Sequence, residues 1–460
     1  MNARKWPLAF ITMMILASLL AMAFGTAFTA AQDEAASITL GSWDDENGNL
    51  RHLAAIEDFQ AVYPDIQVEI LPNPGGDWHT RILTLIAAGE LPDVYMADSS
   101  QMALYVEAGG LTNLRPFIED PDMGFDPSEV FYQSVYENGF VSGDPYALAK
   151  DYSTVAIYAN KALFDAAGIE LPADDWTYDD LLDIALQLTV DANGNNAASM
   201  DFDPDNIVQY GMDHRGDWWR SFTTNVYSFG SHTISEDGTT LDGYFNSPAA
   251  IEALTWMRDA VHVHHVAPTT NWIQGLPGGV MPMFLEGQIA MVFGMGPWFL
   301  GMLEEQPGFE YAILPMPYGP TGEKAGAVCW AGFGLSPTSE NQDAAWLLLR
   351  ALGTEIGQTH YGEHALSSMP SIMEGKEDHP FWGTFLGEVE FLAPLDDLRN
   401  PYYLQCVGTP AGQQITQVLF GEEGADVDVA ELVNSVMPEL QQCLDTQGAY
   451  DPSAETEAEE

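Results

Sequence analysis

Basic side chains are scarce. Fourteen Lys and Arg stand against 68 Asp and Glu in 460 residues, a formal net charge of −54. Such a surface repels phosphate backbones and anionic lipid, which excludes nucleic acid and acidic membranes as partners. It also repels itself, salt screening relieves that repulsion, and the composition suits a saline or acidic exterior. Cysteine is nearly absent: Cys329, Cys406 and Cys443 allow one bridge at most. Their spacing is unlike the paired C-x-x-C units of zinc and iron–sulfur sites. In an oxidising exterior Cys406 with Cys443 is the expected pair, although sequence alone leaves the other connectivities open. There is no G-x-x-x-x-G-K-[ST] phosphate loop, and GLSPTSE lacks the flanks of a nucleophile elbow. No cofactor is implied.

One apolar run stands out at the N-terminus, from Leu8 to Phe24. Arg4 and Lys5 precede it, and small residues follow in GTAFTAAQD. That is the layout of a secretory signal over residues 1–31, cut after Ala31. Kept instead of cleaved, Leu8 to Ala31 is long enough to anchor the chain in a bilayer. No cysteine flanks the cut, so no lipid anchor is expected, and the mature protein should work outside the cytoplasmic membrane. At the other end, residues 451–460 read as a charged acidic tail.

Between these ends, 46% of residues are hydrophobic, and 460 residues are enough for two or three cores. SITLGSW reads as a short strand, after which Leu53, Ile56, Phe59 and Tyr63 recur at helical spacing until Pro64. IQVEIL alternates Ile66, Val68 and Ile70 on one face, the period of a strand. A helix around Arg81 to Ala88, ended by Gly89, leads into the strand PDVYMA. Strands alternating with helices predict an α/β sheet with crossovers, whose ligands sit at the carboxyl ends of strands. Further on, Ile289 to Phe293 predicts a central strand of a second lobe, ending in Gly294-Met295-Gly296-Pro297-Trp298.

The motifs AGELPDV (Ala88 to Val94), EAGGLTNL (Glu107 to Leu114), Tyr146 to Pro172 with its IYANK, FLEGQIAMVFGMGPW (Phe284 to Trp298), YAILPMPYGPTG and the helix Ala344 to Leu352 follow one another in a recognisable order. In that order they resemble the extracellular solute-binding proteins of ABC importers, in particular the carbohydrate-binding branch that includes maltose-binding protein. Ala159 departs from the family's usual aromatic beside Asn160. The resemblance implies a two-lobed periplasmic-binding-protein clamp, with a ligand cleft between lobes and several hinge crossings. Lobe one would hold 37–149 and 330–370, and lobe two 150–329 and 371–450. It also implies a monomeric receptor that binds a sugar and hands it to the permease subunits of an ABC importer, without catalysis.

Sugar recognition requires a flat aromatic against the C–H face of a pyranose and carboxylates that accept from its hydroxyls. Trp43, Trp78, Trp218, Trp219 and Trp298 stand on strand-ending loops, and Trp330 stands at an expected crossing. Trp218 and Trp219, being adjacent, should present only one ring. Trp176 reads as a packing residue at a helix start. Asp44, Asp45, Asp98 and Asp151 align with cleft positions of the family, and Lys150, Arg215 and Arg220 are the few basic residues nearby. Two other classes compete. A secreted glycoside hydrolase would need a carboxyl pair across the scissile bond, for which no motif stands out. A metal-binding receptor is suggested by HVHH at His262 to His265, which also reads as the end of a helix. Which sugar is bound is not legible.

Overall fold

The computed structural model describes residues 36–44, 46–71, 73, 78–214, 219–274, 279–304, 306–363 and 365–446. The expected signal at 1–31, the acidic tail, Asp45, Arg215 and Trp218 lie outside the described residues, as do the side chains of Trp219 and Arg220. Among the described residues no helix is long and apolar enough to cross a membrane.

The chain begins with β1 (Ala36–Gly41), α1 (Glu46–Val62), β2 (Ile66–Leu71), α2 (Trp78–Ala88), β3 (Val94–Asp98) and α3 (Ser99–Glu107), the alternation that the sequence predicts. Residues of α1 turn inward at helical spacing, but the buried stripe is His52, Ala55, Ile56 and Phe59, while Leu53 is 53% exposed. The inward position expected for Leu53 belongs to a histidine, because Ile56 and Phe59 bring His52, not Leu53, onto their face. On β2 the burial alternates, with Gln67 and Glu69 outward.

β4 (Ala147–Ser153) and β5 (Ala156–Asn160) follow, then β6 (Met291–Met295), β7 (Tyr311–Leu314) and β8 (Cys329–Leu335). Five strands form one sheet in the order β2-β1-β3-β8-β4. β1 runs parallel to β2 and β3, and β8 runs antiparallel to both β3 and β4. The carboxyl ends of β1, β3 and β4 and the start of β8 therefore share one edge. A second sheet has the order β6-β5-β7. Its central strand is β5, not the expected Ile289–Phe293 run: β6 starts at Met291 and lies beside β5, while isolated bridges join Ile289, just before β6, to Tyr210 and Val292 of β6 to Asp213. The two sheets are the cores of two lobes, joined where β4 passes through Thr154 and Val155 into β5. β4 runs to Ser153, past the expected division at 149/150, because its pairing with β8 continues to Ser153 opposite Cys329.

One hydrophobic cluster fills the first lobe and continues across the junction to Tyr158 and Phe385; a second packs β5 and β6 residues against α5 (Trp219–Ser228), α6 (Pro248–His262) and α8 (Val429–Thr446). Cys406 and Cys443 form a disulfide that ties Leu404–Gly408 to α8. Trp176 is 3% exposed just before α4 (Tyr178–Leu188), its Nε1 donating to the Pro315 carbonyl, which is the packing role expected of it. His262 is the last residue of α6, and its Nε2 lies 2.9 Å from the Leu419 carbonyl. Among the described residues no group of three or more His, Cys, Asp and Glu could hold a metal ion.

Candidate functional site

Three of the expected carboxylates meet on the shared edge of the large sheet. Asp44 stands three residues after β1, Asp98 ends β3, and Asp151 lies near the end of β4. Ala331 of β8 pairs with Asp98 on one side and Asp151 on the other, so those two stand two strand spacings apart, about 10 Å. Asp98 is committed locally: it is the N-cap of α3, its Oδ1 accepting from the Ser100 amide at 2.8 Å and from the Ser100 hydroxyl.

Asp44 and Asp151 are bound to one cation. The Lys150 amine lies 2.7 Å from Asp151 Oδ2 and 3.3 Å from Asp44 Oδ2, with its side chain only 10% exposed. Asp44 Oδ2 also lies 2.9 Å from His52 Nε2, and His52 Nδ1 lies 2.9 Å from the Tyr361 hydroxyl. Tyr361, the last residue of α7 (Glu355–Tyr361), closes this buried chain from behind. The two carboxylates thus anchor themselves through Oδ2, and among the described residues no partner occupies Oδ1 of either. Their side chains keep 15% and 20% exposure at the edge.

Burial alone would raise the Asp44 carboxyl, but the Lys150 charge and the His52 hydrogen bond outweigh it and hold Asp44 well below the usual carboxylate range. Burial likewise opposes the Lys150 charge, and Asp151 and Asp44 reverse it, raising the amine above its ordinary value. Burial dominates at His52 and lowers it, so the ring is neutral at neutral pH. A neutral ring with Nε2–H donating to Asp44 and Nδ1 accepting from Tyr361 satisfies both contacts. The result is a pair of fixed, ionised acceptors, suited to hydroxyl groups.

The tryptophans divide. Trp298 is 45% exposed, just beyond β6 at the edge where Met295 pairs with Ala156, the first residue after the junction. Pro297–Phe299 is one 3-10 turn, leading into a short helix over Leu300–Glu304. A Cβ on Gly296 would lie 2.0 Å from the Trp298 ring, so glycine is required there for the indole to fold over the chain. Trp43 is half-buried and meets Trp78 edge-on at 6.0 Å. Trp78 and Trp330 are corrections to the expected set. Trp78 is 8% exposed, its Nε1 donating to the Met96 carbonyl, because it is the first residue of α2 and packs beneath β1 and β3. Trp330 is 1% exposed inside β8, where its ring occupies the space that a Cβ at Gly332 would need. Both are core residues. Sequence reasoning missed His52 and Tyr361. The signal for His52 was present, since a histidine four residues before Ile56 falls on the apolar stripe of α1.

Residues 52–359 match the family described as bacterial extracellular solute-binding protein. A binding protein of Brucella abortus is 24% identical over 63% of this chain, and the alignment covers 65% of that protein. The maltotriose-binding protein of Pyrococcus abyssi is 23% identical over 64% of this chain and 57% of its own length. The chain therefore spans less than two thirds of these curated relatives. An ABC substrate-binding protein of Listeria monocytogenes, solved in complex with cycloalternan, superposes with a TM-score of 0.75 at 22% identity, over 90% of this chain and 100% of that one. The family match over most of the chain agrees with the two sheets, the junction between them and the polar edge beside it: the protein belongs to the bacterial extracellular solute-binding proteins.

Proposed function

We propose that this protein is the extracytoplasmic receptor of an ABC importer, binding a sugar or oligosaccharide between its lobes and delivering it to the permease. The observation that carries this reading is the edge itself. Asp44 and Asp151 are fixed by one buried lysine, each with an Oδ1 that has no partner among the described residues, and the exposed indole of Trp298 stands on the other lobe at the same junction. Carboxylate acceptors and an aromatic face are the two groups a pyranose requires. Two of the proteins to which the chain is similar are named for, or solved with, an oligosaccharide, which supports a carbohydrate over other solutes.

The proposed clamp closes by rotation about Thr154–Val155 and about the segment 315–328, which joins β7 to β8. Lobe one then carries roughly 37–149 with 330–370 and lobe two the remainder, the strand ends moving the first crossing a few residues later. The receptor acts as a monomer, is exported by residues 1–31, and is not a hydrolase. In support of the last point, Asp44 is held ionised, whereas a glycosidase pairs its base or nucleophile with an acid of raised pKa. A thermal-shift screen against maltose, maltotriose, tagatose and cycloalternan tests the reading. A ligand bound only by the native state raises the melting temperature by mass action, and a panel that shifts nothing speaks against a carbohydrate.

A further inference from the structure

The pairing of β4 with β8 is interrupted at Lys150. Asp151 stands opposite Ala331, Ala149 stands opposite Gly332, and Lys150 is left as the extra residue of a β-bulge. The bulge has a geometric consequence for the site. In a regular strand, neighbouring side chains point to opposite faces, so Lys150 and Asp151 would diverge. The extra residue re-aims the strand, and here the amine and carboxylate of these neighbours meet at 2.7 Å beside Asp44. A bulge also leaves backbone groups without ladder partners, which is costly when they are buried.

Gln358 supplies those partners. It is fully buried on Glu355–Tyr361, the helix that also carries Tyr361. Its amide nitrogen donates to the carbonyls of Ala149 at 2.9 Å and Lys150 at 2.6 Å. Its Oε1 accepts from the Ser367 hydroxyl at 2.6 Å and the Ser368 amide at 3.2 Å, which fixes the orientation of the amide. One buried side chain therefore joins the bulge to the 366–369 segment, beside the bridge between Tyr152 and Leu366.

We infer that Gln358 is a positioning residue for the ligand site: by holding the β4 bulge it sets the aim of Lys150 and Asp151, and through Lys150 that of Asp44. This rests on the proposed reading of Asp151 as a ligand contact. Gln358 itself touches no ligand.

The test uses Gln358→Met, which removes the amide, and Ser367→Ala, a milder change that frees the amide to turn. Each is made alone and with Asp151→Asn. Maltotriose affinity is measured by calorimetry, and the carboxyl titration of ligand-free Asp44 by carbon NMR. That titration is read with His52, Lys150, Asp151 and Tyr361, the titratable groups that face Asp44. Gln358→Met is expected to weaken binding about tenfold in the native background and less than about twofold with Asp151→Asn, the non-additivity of residues acting through one another. The Asp44 midpoint should move up towards the ordinary carboxylate range, and Ser367→Ala should do the same by a smaller amount. Equal losses of affinity in both backgrounds, or an unmoved Asp44 midpoint, would overturn the inference. If maltotriose fails to bind, or Asp151→Asn leaves binding unchanged, the site reading falls, and the ligand-free Asp44 midpoint alone decides the role of Gln358. Should Gln358→Met lose its cooperative melt, Ser367→Ala decides by the same two readouts.

Discussion

Replacing Lys150 by methionine removes the one cation between Asp44 and Asp151 while keeping the length and apolar stem of the side chain. At 2.7 and 3.3 Å, and with an effective dielectric of about 20, the two gross attractions are about 6 and 5 kcal/mol. The desolvation of three charged groups offsets most of this. Breaking a buried pair from one side costs about 3–5 kcal/mol, which is the expected loss for Lys150→Met at pH 7. Its pH dependence carries a sign. In the native protein Asp44 is depressed, so its contribution is present above the ordinary carboxylate pKa of about 4 and is lost as pH falls further. In the variant both carboxyls are half-buried without a counter-charge. The folded state then binds protons more tightly than the unfolded state, and stability should recover as pH falls. Urea unfolding at neutral and mildly acidic pH measures both effects. A loss below about 1 kcal/mol, or a gap between variant and native protein that stays constant with pH, would refute the reasoning, since the lysine would then be a surface charge in energetic terms.

Three further outcomes are expected. Trp298→Ala should weaken maltotriose binding at least tenfold, about 1.4 kcal/mol, with an unchanged cooperative melt in the absence of sugar; calorimetry and a thermal melt check the two halves. Lys324 and Glu388 form a pair that is 4% and 2% exposed, at the wall of a cavity of about 470 Å³. Burial pushes the Glu388 carboxyl up to about 7 from 4.5 despite the lysine. Because the folded pKa is raised, the protonated native form is favoured: the contribution is full below about 4.5 and is lost as pH rises towards 7, by about 3 kcal/mol at most. Glu388→Gln should flatten that slope in urea midpoints. Finally, screening should weaken repulsion among the excess carboxylates, so the melting temperature should be higher in molar than in millimolar sodium chloride.

The parts of this molecule legible in its sequence are those written in short-range pattern. Ile66, Val68 and Ile70 announce a strand by their period, Gly89 stops α2 with a positive φ of 70°, and Gly296-Pro297 presents Trp298. Asp44 and Asp151 were expected near the cleft from the resemblance alone, and the structure brings the two together on Lys150. What was not legible depends on register. Nothing in YALAKDYS marks Lys150 as the extra residue of a bulge, since that follows from where Ala331 and Gly332 of a strand 180 residues away happen to pair. The core positions of Trp78 and Trp330 have the same origin. Trp78 starts α2 and Trp330 stands near the start of β8, and only the packing of α2 beneath β3 and the empty Cβ position of Gly332 turn them inward. His52 shows the intermediate case, a polar residue on an apolar stripe whose meaning required knowing that Asp44 lay above it.

The most direct test of the central claim is a calorimetric titration of the native protein with maltotriose and the other panel sugars, repeated on the Asp44→Asn, Asp151→Asn double variant. The account predicts saturable binding of at least one sugar at one site per chain. It predicts a loss of at least a hundredfold in the double variant, about 2.7 kcal/mol, with its ligand-free melt still cooperative. Native protein that binds none of the sugars, or a double variant that binds as tightly as the native protein, would contradict it.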